Sequence, residues 1–272
     1  MKAPLRFLLL TIVAVCAAAQ PIRVYSEFER IDPFGNIVAA DRAETPREIL
    51  SPGLARNAFA SFMVAVTPRS GRPSSLFIAQ NPPNSVAASL YRAVFVRRGA
   101  DWIPDGLVPA AISAGGQADE PVEQVPGQTT QVYWMDLWVD GDAPVRRTRF
   151  ELQLHDGERW TIYPLELRLL AVRAPRTSGP LEALAPLEAP SAESARAPLC
   201  GLGSRSIEGP PTIRSMIRRN ARQDAAIAST LDKKTVAEGL SAWCRSPAPP
   251  RALGAEWYLK ARDFLYRAAM LH

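Results

Sequence analysis

The sequence has almost no histidine and little cysteine, and both shortages exclude kinds of chemistry. Among 272 residues there are two histidines and three cysteines. A Ser–His or Cys–His nucleophile needs a histidine beside the hydroxyl or thiol. Only His155 and His272 are present; the first is on the outward face of a predicted strand and the second ends the sequence. Structural zinc needs four Cys or His ligands. We therefore predict no metal site, no cofactor and no catalytic triad.

Long apolar runs are also missing beyond the N-terminus. Residues 1–19 have a charged start at Lys2 and Arg6, an apolar stretch and three alanines before Gln20, the pattern of a secretory signal peptide. The stretch is too short to cross a bilayer of about 30 Å as a helix. The sequence predicts an exported protein, periplasmic or extracellular, without a transmembrane segment after cleavage.

The three cysteines have different predicted roles. Cys16 raises a lipoprotein alternative, which the bulky Val15 before it disfavours. Cleavage leaves Cys200 and Cys244, and in an oxidising compartment an isolated pair favours a disulfide over a metal site. Two buried free thiols are the alternative reading of this pair.

Short strands are predicted over residues 20–173. Apolar residues alternate with polar ones around Phe62, Val64 and Val66 and again from Phe150 to Leu154, the period of half-buried strands. Turn residues separate the runs, as in sandwich domains. We predict a mainly β fold, an antiparallel sandwich of immunoglobulin or jelly-roll type, with a long loop over residues 111–128.

The chain changes character after residue 173. Residues 174–200 carry repeated prolines among Ala, Leu, Glu and Ser, which predicts a semi-extended linker. Residues 201–272 have a helical period, with a first helix opening at Thr212. Residues 20–173 hold 16 basic and 18 acidic side chains, a net of −2, whereas residues 201–272 hold 12 and 6, a net of +6. The basic charge therefore belongs to the helical region.

The stretch from Gln131 to Asp142 has two unlike strand faces. One face is apolar and predicts a core, with Tyr133 and Met135 as its first members. The other face mixes indoles with carboxylates, which is typical of either a packed layer or a sugar-binding platform. We take five residues as a hypothetical carbohydrate site, and among the tryptophans we expect Trp102 to be the most exposed. The five are Trp102, Trp134, Asp136, Trp138 and Asp140.

An arginine-rich helix face offers a second hypothetical site, for a protein or envelope partner. Its arginines could meet phosphates, or form a solvated face against the acidic sandwich. Export argues against nucleic acid. The four residues are Arg214, Arg218, Arg219 and Arg222.

Two segments, residues 55–66 and 133–167, carry a family resemblance. The first reads Ala-Arg-Asn followed by an apolar strand, and the second a Trp-x-Asp-Leu-Trp strand, an Asp-Ala-Pro turn and a closing Pro-Leu strand. Residues 22–172 thereby resemble the N-terminal β-sandwich of secreted glycoside-hydrolase-like proteins. The resemblance implies a sandwich with a carbohydrate-linked history. The sequence departs from the family's pattern at residues 145–148 and has no segment with the pattern of the family's catalytic barrel. The resemblance therefore does not imply hydrolysis.

These observations favour a non-catalytic binding or assembly protein acting outside the cytoplasm, with a polysaccharide as one possible ligand. Two alternatives stay open at this stage. One is an envelope scaffold that recruits a partner through the basic helical region. The other is a divergent glycan-processing enzyme, although Asp136 and Asp140 on one strand face would be about 13 Å apart, too far for a glycosidase pair.

Overall fold

The computed structural model describes the sandwich and a few positions beyond it. The described residues are 20–42, 49–68, 74–118, 123–157, 159–174, 211–213, and the single positions 216, 217, 219, 220, 223 and 227. The predicted leader, nearly all of the predicted linker, most of the helical region and the pair Cys200 and Cys244 lie outside these residues. Within the described part, no helix has the length and hydrophobicity needed to cross a membrane.

Nine strands and one short 3₁₀ helix form the described sandwich. The 3₁₀ helix, Ala39–Asp41, lies between the first two strands. The strands are β1 (Ile22–Ser26), β2 (Gly53–Arg56), β3 (Ala58–Val66), β4 (Ser75–Asn81), β5 (Ala87–Arg98), β6 (Asp101–Ala110), β7 (Gln131–Val139), β8 (Arg146–His155) and β9 (Trp160–Arg173).

The strands form two sheets. The five-stranded sheet has the order β1-β3-β7-β5-β6, and the four-stranded sheet has the order β2-β9-β8-β4. A mainly β sandwich is therefore confirmed. Neighbouring strands are antiparallel except at one pair, because β2 runs parallel to β9. A parallel neighbour cannot follow from a tight hairpin, and here the two strands are more than 100 positions apart in the chain.

The interior between the sheets follows the predicted alternation. Phe62, Val64 and Val66 of β3 lie in one buried cluster with alternate residues of β7 and β8. From β7 these are Tyr133, Met135, Leu137 and Val139, and from β8 they are Phe150, Leu152 and Leu154. Burying each such side chain contributes about 1.5–3 kcal/mol, so this layer holds the sheets together.

Loop residues cover strand edges that would otherwise offer unpaired backbone groups. Beside β4, Ile78 N–H donates to Gly116 O and Ala118 N–H donates to Leu76 O. Gly116 has φ +83°, and a side chain there would collide with the Ile78 carbonyl. Beside β1, Ile49 N–H donates to Val24 O. Covered edges do not pair readily with a second chain.

The outer face of the five-stranded sheet is covered by residues from near the C-terminus. Leu107 N–H of β6 donates to Pro211 O, and the described positions between 213 and 227 have helical backbone. Ile213 and Met216 are buried in one cluster with Trp134. Ile227 is buried in a second cluster with Ala58 of β3 and Val172 of β9. Ile213, Met216 and Ile227 therefore pack on the sandwich.

Candidate functional site

Two surfaces of the sandwich carry polar and aromatic side chains together. The first, called here the arginine site, lies on the outer face of the five-stranded sheet. It consists of Phe59, Ser61, Trp134 and Asp136 with Arg219 bound to them. The second, called the Trp160 surface, lies on the outer face of the four-stranded sheet. It consists of Phe77, His155, Trp160 and Ile162.

Strand register creates the arginine site. Ser61 of β3 lies directly opposite Asp136 of β7, and Phe59 lies opposite Trp138. On the other side of β7, Ser89 of β5 lies opposite Asp136. Because alternate residues share a face, these side chains form a small grid on the outer surface of the sheet.

The carboxylate of Asp136 is buried and saturated with donors. Its side chain is 2% exposed. Its Oδ1 accepts from Trp134 Nε1–H at 2.7 Å and from the Ser61 hydroxyl at 2.5 Å. Arg219 donates Nη2–H to Oδ1 at 2.8 Å and Nη1–H to Oδ2 at 2.7 Å. The pair is bidentate, the strongest arrangement of an arginine and a carboxylate.

Aromatic rings and further polar contacts surround this ion pair. The Arg219 guanidinium lies 3.8 Å from the centroid of Phe59, whose ring packs on Trp138 at 4.7 Å. Asn220 Nδ2–H donates to the Ser61 hydroxyl at 2.8 Å. The pKa of Tyr91 is raised by burial and by the nearby Asp136 carboxylate, while Arg219 acts in the opposite direction. The site is a connected buried polar network.

One glutamine closes the free edge of β3 beside this network. Phe59 N–H donates to Gln223 Oε1 at 2.6 Å, and Gln223 Nε2–H donates to Phe59 O at 2.9 Å. The pairing of β3 with β1 begins only at Phe62, so none of the described strands lies beside the Phe59 backbone on that side. The carboxamide of Gln223 takes the place of a strand neighbour.

The Trp160 surface is exposed. Trp160 and Ile162 are 54% and 49% exposed, although both are large and apolar. The Trp160 ring lies 4.6 Å from His155 and 5.2 Å from Phe77, centroid to centroid. His155 pairs directly with Trp160 in the sheet. The three rings form one contiguous aromatic group.

Polar residues continue this face along the strands. The row next to Trp160 contains Phe77, Gln153 and Ile162, and the following row contains Glu151. Gln153 Nε2–H donates to Glu151 at 2.6 Å, and Arg149 forms an ion pair with Glu151 at 2.5 Å. Successive rows of this face therefore present the Trp160 ring, the Gln153 amide and the Glu151 carboxylate.

The residues of the predicted carbohydrate site are not brought together as one exposed platform. Trp134 is fully buried and Asp136 is bound to Arg219, so neither forms an exposed platform. Trp138 and Trp102 are both half-buried, and Arg97 lies over the Trp102 ring at 5.9 Å. Asp140 is exposed and accepts a hydrogen bond from Asp142 N–H at the turn after β7.

Of the four arginines of the predicted partner site, the structure describes one. Arg219 points toward the outer face of the five-stranded sheet and its side chain is 12% exposed, so it is a structural ligand of Asp136 and not part of a solvated face. Arg214, Arg218 and Arg222 lie outside the described residues. The contact between Arg219 and Asp136 was not predicted, because a periodic pattern of arginines does not show which arginine faces the sheet. The described residues contain no group of three or more side chains that could hold a metal ion.

Comparison with known proteins gives only distant structural similarity. No family model and no curated protein matches the sequence. The chain is similar to a family 123 glycoside hydrolase from Clostridium perfringens, described for glycolipid glycan hydrolysis, with 8% identity over 67% of this chain and a TM-score of 0.39. It is also similar to the C-terminal domain of the Streptococcus agalactiae AgI/II polypeptide BspA, with 9% identity over 55% of this chain and a TM-score of 0.28. This chain spans 32% and 50% of those two chains. Similarity at this level identifies neither a family nor an activity.

Proposed function

We propose that the protein is a non-catalytic binding module whose ligand is a carbohydrate, held on the Trp160 surface. One observation carries the proposal. An indole that is 54% exposed is fixed in a ring group on a sheet face, next to an amide and a carboxylate. Exposed apolar groups clustered on a surface mark interaction sites.

The chemistry of the surface suits a sugar. The face of an indole carries negative charge density and attracts the C–H groups of a pyranose ring. The neighbouring Gln153 and Glu151 offer donors and acceptors for hydroxyl groups, in the pattern of an apolar floor with a few polar groups that fix orientation. Contact between Trp160 and His155 restrains the ring, so little side-chain entropy is lost on binding.

The carboxylates of this face are already engaged, which favours binding over hydrolysis. Glu151 is paired with Arg149, and Glu166 is paired with Arg147 at 2.7 Å. A glycosidase needs one carboxylic acid with a raised pKa and a second carboxylate across the scissile bond. Because both carboxylates of this face already bind arginines, we assign them contacts to hydroxyl groups and not a catalytic role.

The two alternatives from the sequence have less support. The scaffold hypothesis loses Arg219, which is used inside the protein, and rests on Arg214, Arg218 and Arg222. The enzyme hypothesis loses Asp136, whose carboxylate is buried under Arg219. The leader predicted at residues 1–19 would place a carbohydrate-binding module outside the cytoplasm, where polysaccharide is found.

Affinity electrophoresis of the mature chain in gels containing different polysaccharides tests the proposal. We expect at least one polysaccharide to retard the protein, and Trp160→Ala to weaken binding about tenfold, the effect of losing about 1.4 kcal/mol at one central contact. Phe34→Ala is the matched control, because Phe34 is an aromatic residue that is 44% exposed in a loop outside this face.

The outcomes separate the surfaces. Retention that survives Trp160→Ala but is lost in Trp102→Ala would move the ligand to the other sheet and contradict the assignment. No retention on any polysaccharide, with the variants folded, would remove the carbohydrate ligand altogether.

A further inference from the structure

We propose that the outer face of the five-stranded sheet carries a preformed guanidinium-binding site, made by Asp136, Trp134, Ser61 and Phe59. Arg219 is its resident ligand, and a free guanidinium ion can take its place when that side chain is removed. The site is separate from the Trp160 surface. Its ligand class is a guanidinium group, which the chain supplies here from its own C-terminal part.

The sheet positions the receptor without help from Arg219. Two of the four hydrogen bonds to Asp136 come from the sheet itself, from Trp134 of β7 and Ser61 of β3. Both donors are fixed by strand pairing, since Ser61 is the direct neighbour of Asp136. Both of these bonds end on Oδ1, so they fix the orientation of the carboxylate and leave Oδ2 to accept from the guanidinium.

The geometry selects guanidinium over ammonium. The two Arg219 nitrogens reach different carboxylate oxygens, at 2.7 and 2.8 Å, which a single ammonium nitrogen cannot reproduce. The planar cation also lies over the Phe59 ring at 3.8 Å. Bidentate pairing and stacking are properties of guanidinium and not of a compact, strongly hydrated ammonium.

One side of the site is open. On β5, Ala87 and Ser89 are exposed, although Ser89 lies directly beside Asp136 in the sheet. A small cation can therefore reach the carboxylate from the β5 side once the Arg219 side chain is removed. The segment keeps separate anchors, because Asn220 bonds Ser61 and Gln223 bonds the Phe59 backbone.

The occupant belongs to a segment of this chain whose described positions from 213 to 227 have helical backbone and which presents Arg219 to the sheet. Ile213 and Met216 bury apolar side chains on one side of the site, and Ile227 does so on the other. The guanidinium contact fixes the register of this segment, since among its described positions it is Arg219 that bonds the Asp136 carboxylate. A polar pair in an apolar contact is well suited to such a role.

Replacement of the side chain by a free ion tests the proposal in the full-length protein. In Arg219→Ala, we expect methylguanidinium to shift the Trp134 indole N–H resonance saturably. Methylammonium at the same ionic strength should bind at least about tenfold more weakly, the difference expected for one lost charge-assisted hydrogen bond. The wild-type protein should show no saturable shift, because Arg219 fills the site, and Asp136→Asn combined with Arg219→Ala should abolish the response.

The experiment stays decisive if Arg219→Ala is unfolded in buffer. Methylguanidinium is then expected to restore a cooperative thermal transition, and methylammonium is not. Equal responses to the two cations would reduce the effect to simple charge neutralisation and overturn the proposal. No response to either cation would show that the receptor does not exist without Arg219, which also overturns it.

Discussion

Breaking the ion pair between Arg219 and Asp136 should cost a large part of the stability of the fold. The test is a cycle of three variants, Arg219→Met, Asp136→Asn and the double variant, compared with the wild-type protein. Methionine keeps much of the apolar stem of arginine and asparagine keeps the shape of aspartate, so the cycle changes mainly the charges.

The magnitude follows from burial and from the number of hydrogen bonds. Arg219→Met leaves a carboxylate that is 2% exposed with two of its four donors, Trp134 and Ser61. Removing one partner of a buried pair typically costs about 3–5 kcal/mol, and the opening beside Ser89 places this site near the lower figure. Since domains are stable by about 5–15 kcal/mol, the variant should still fold. The double variant should cost less than the sum of the single ones, with a coupling of about 1–3 kcal/mol.

Urea unfolding followed by tryptophan fluorescence measures these differences, with the midpoint and slope compared across the cycle. Two results would refute the reasoning. Single variants that each cost less than about 1 kcal/mol would show that the pair behaves as a surface salt bridge. Additive losses would show that Arg219 and Asp136 act independently, in conflict with their bidentate contact.

Two further predictions concern residues beside and beyond this network. Gln223→Leu should cost about 1 kcal/mol, because it removes the partners of the part-buried N–H and C=O of Phe59. Urea unfolding measures the loss, and an unchanged rate of hydrogen exchange at the Phe59 amide would contradict it. The pKa of Glu29 is raised by burial and by the carboxylate of Asp41, partly offset by a hydrogen bond from the Ser26 backbone. The folded protein thus holds this proton more tightly than the unfolded chain, so the contribution of Glu29 to stability is present at acid pH and lost as the pH rises through the raised pKa. The free energy of unfolding of Glu29→Gln, relative to that of the wild-type protein, should therefore be higher at pH 7.5 than at pH 4. If the difference between the two proteins does not change with pH, this explanation is wrong.

The interior of the sandwich could be predicted from the sequence because a strand has a strict period of two. Tyr133, Met135, Leu137 and Val139 were expected on one face, and all four lie in the inter-sheet cluster. Such residues need no knowledge of distant chain segments, since any partner sheet would bury the same face. Strand β6 was harder to predict, because Pro104 and Pro109 resemble turn residues. Proline is tolerated in β6 because that strand is at the edge of its sheet.

The Trp160 surface had a signal in the sequence that we did not use. Tyr163, Leu165, Leu167 and Leu169 of β9 are odd-numbered and face the core. Trp160 and Ile162 are even-numbered, so a single continuous strand must turn them outward. Since the core residues of β9 have odd numbers and Trp160 and Ile162 have even numbers, the alternation predicts that Trp160 and Ile162 are exposed. Their hydrophobicity alone would predict burial.

The arginine site could not be predicted from local pattern, because its two halves are 83 positions apart. The strand pattern of β7 correctly separates an apolar face from a face with indoles and carboxylates. It does not show that a second layer covers the latter face, so Trp134 is compatible with either a ligand platform or a packed core. The helical pattern around Arg219 likewise leaves open which arginine turns inward. The ion pair between Asp136 and Arg219 answers both questions, because it shows that the polar face of β7 is covered and which arginine covers it. Composition alone would assign these residues to ligand binding, whereas the pair gives them a structural role.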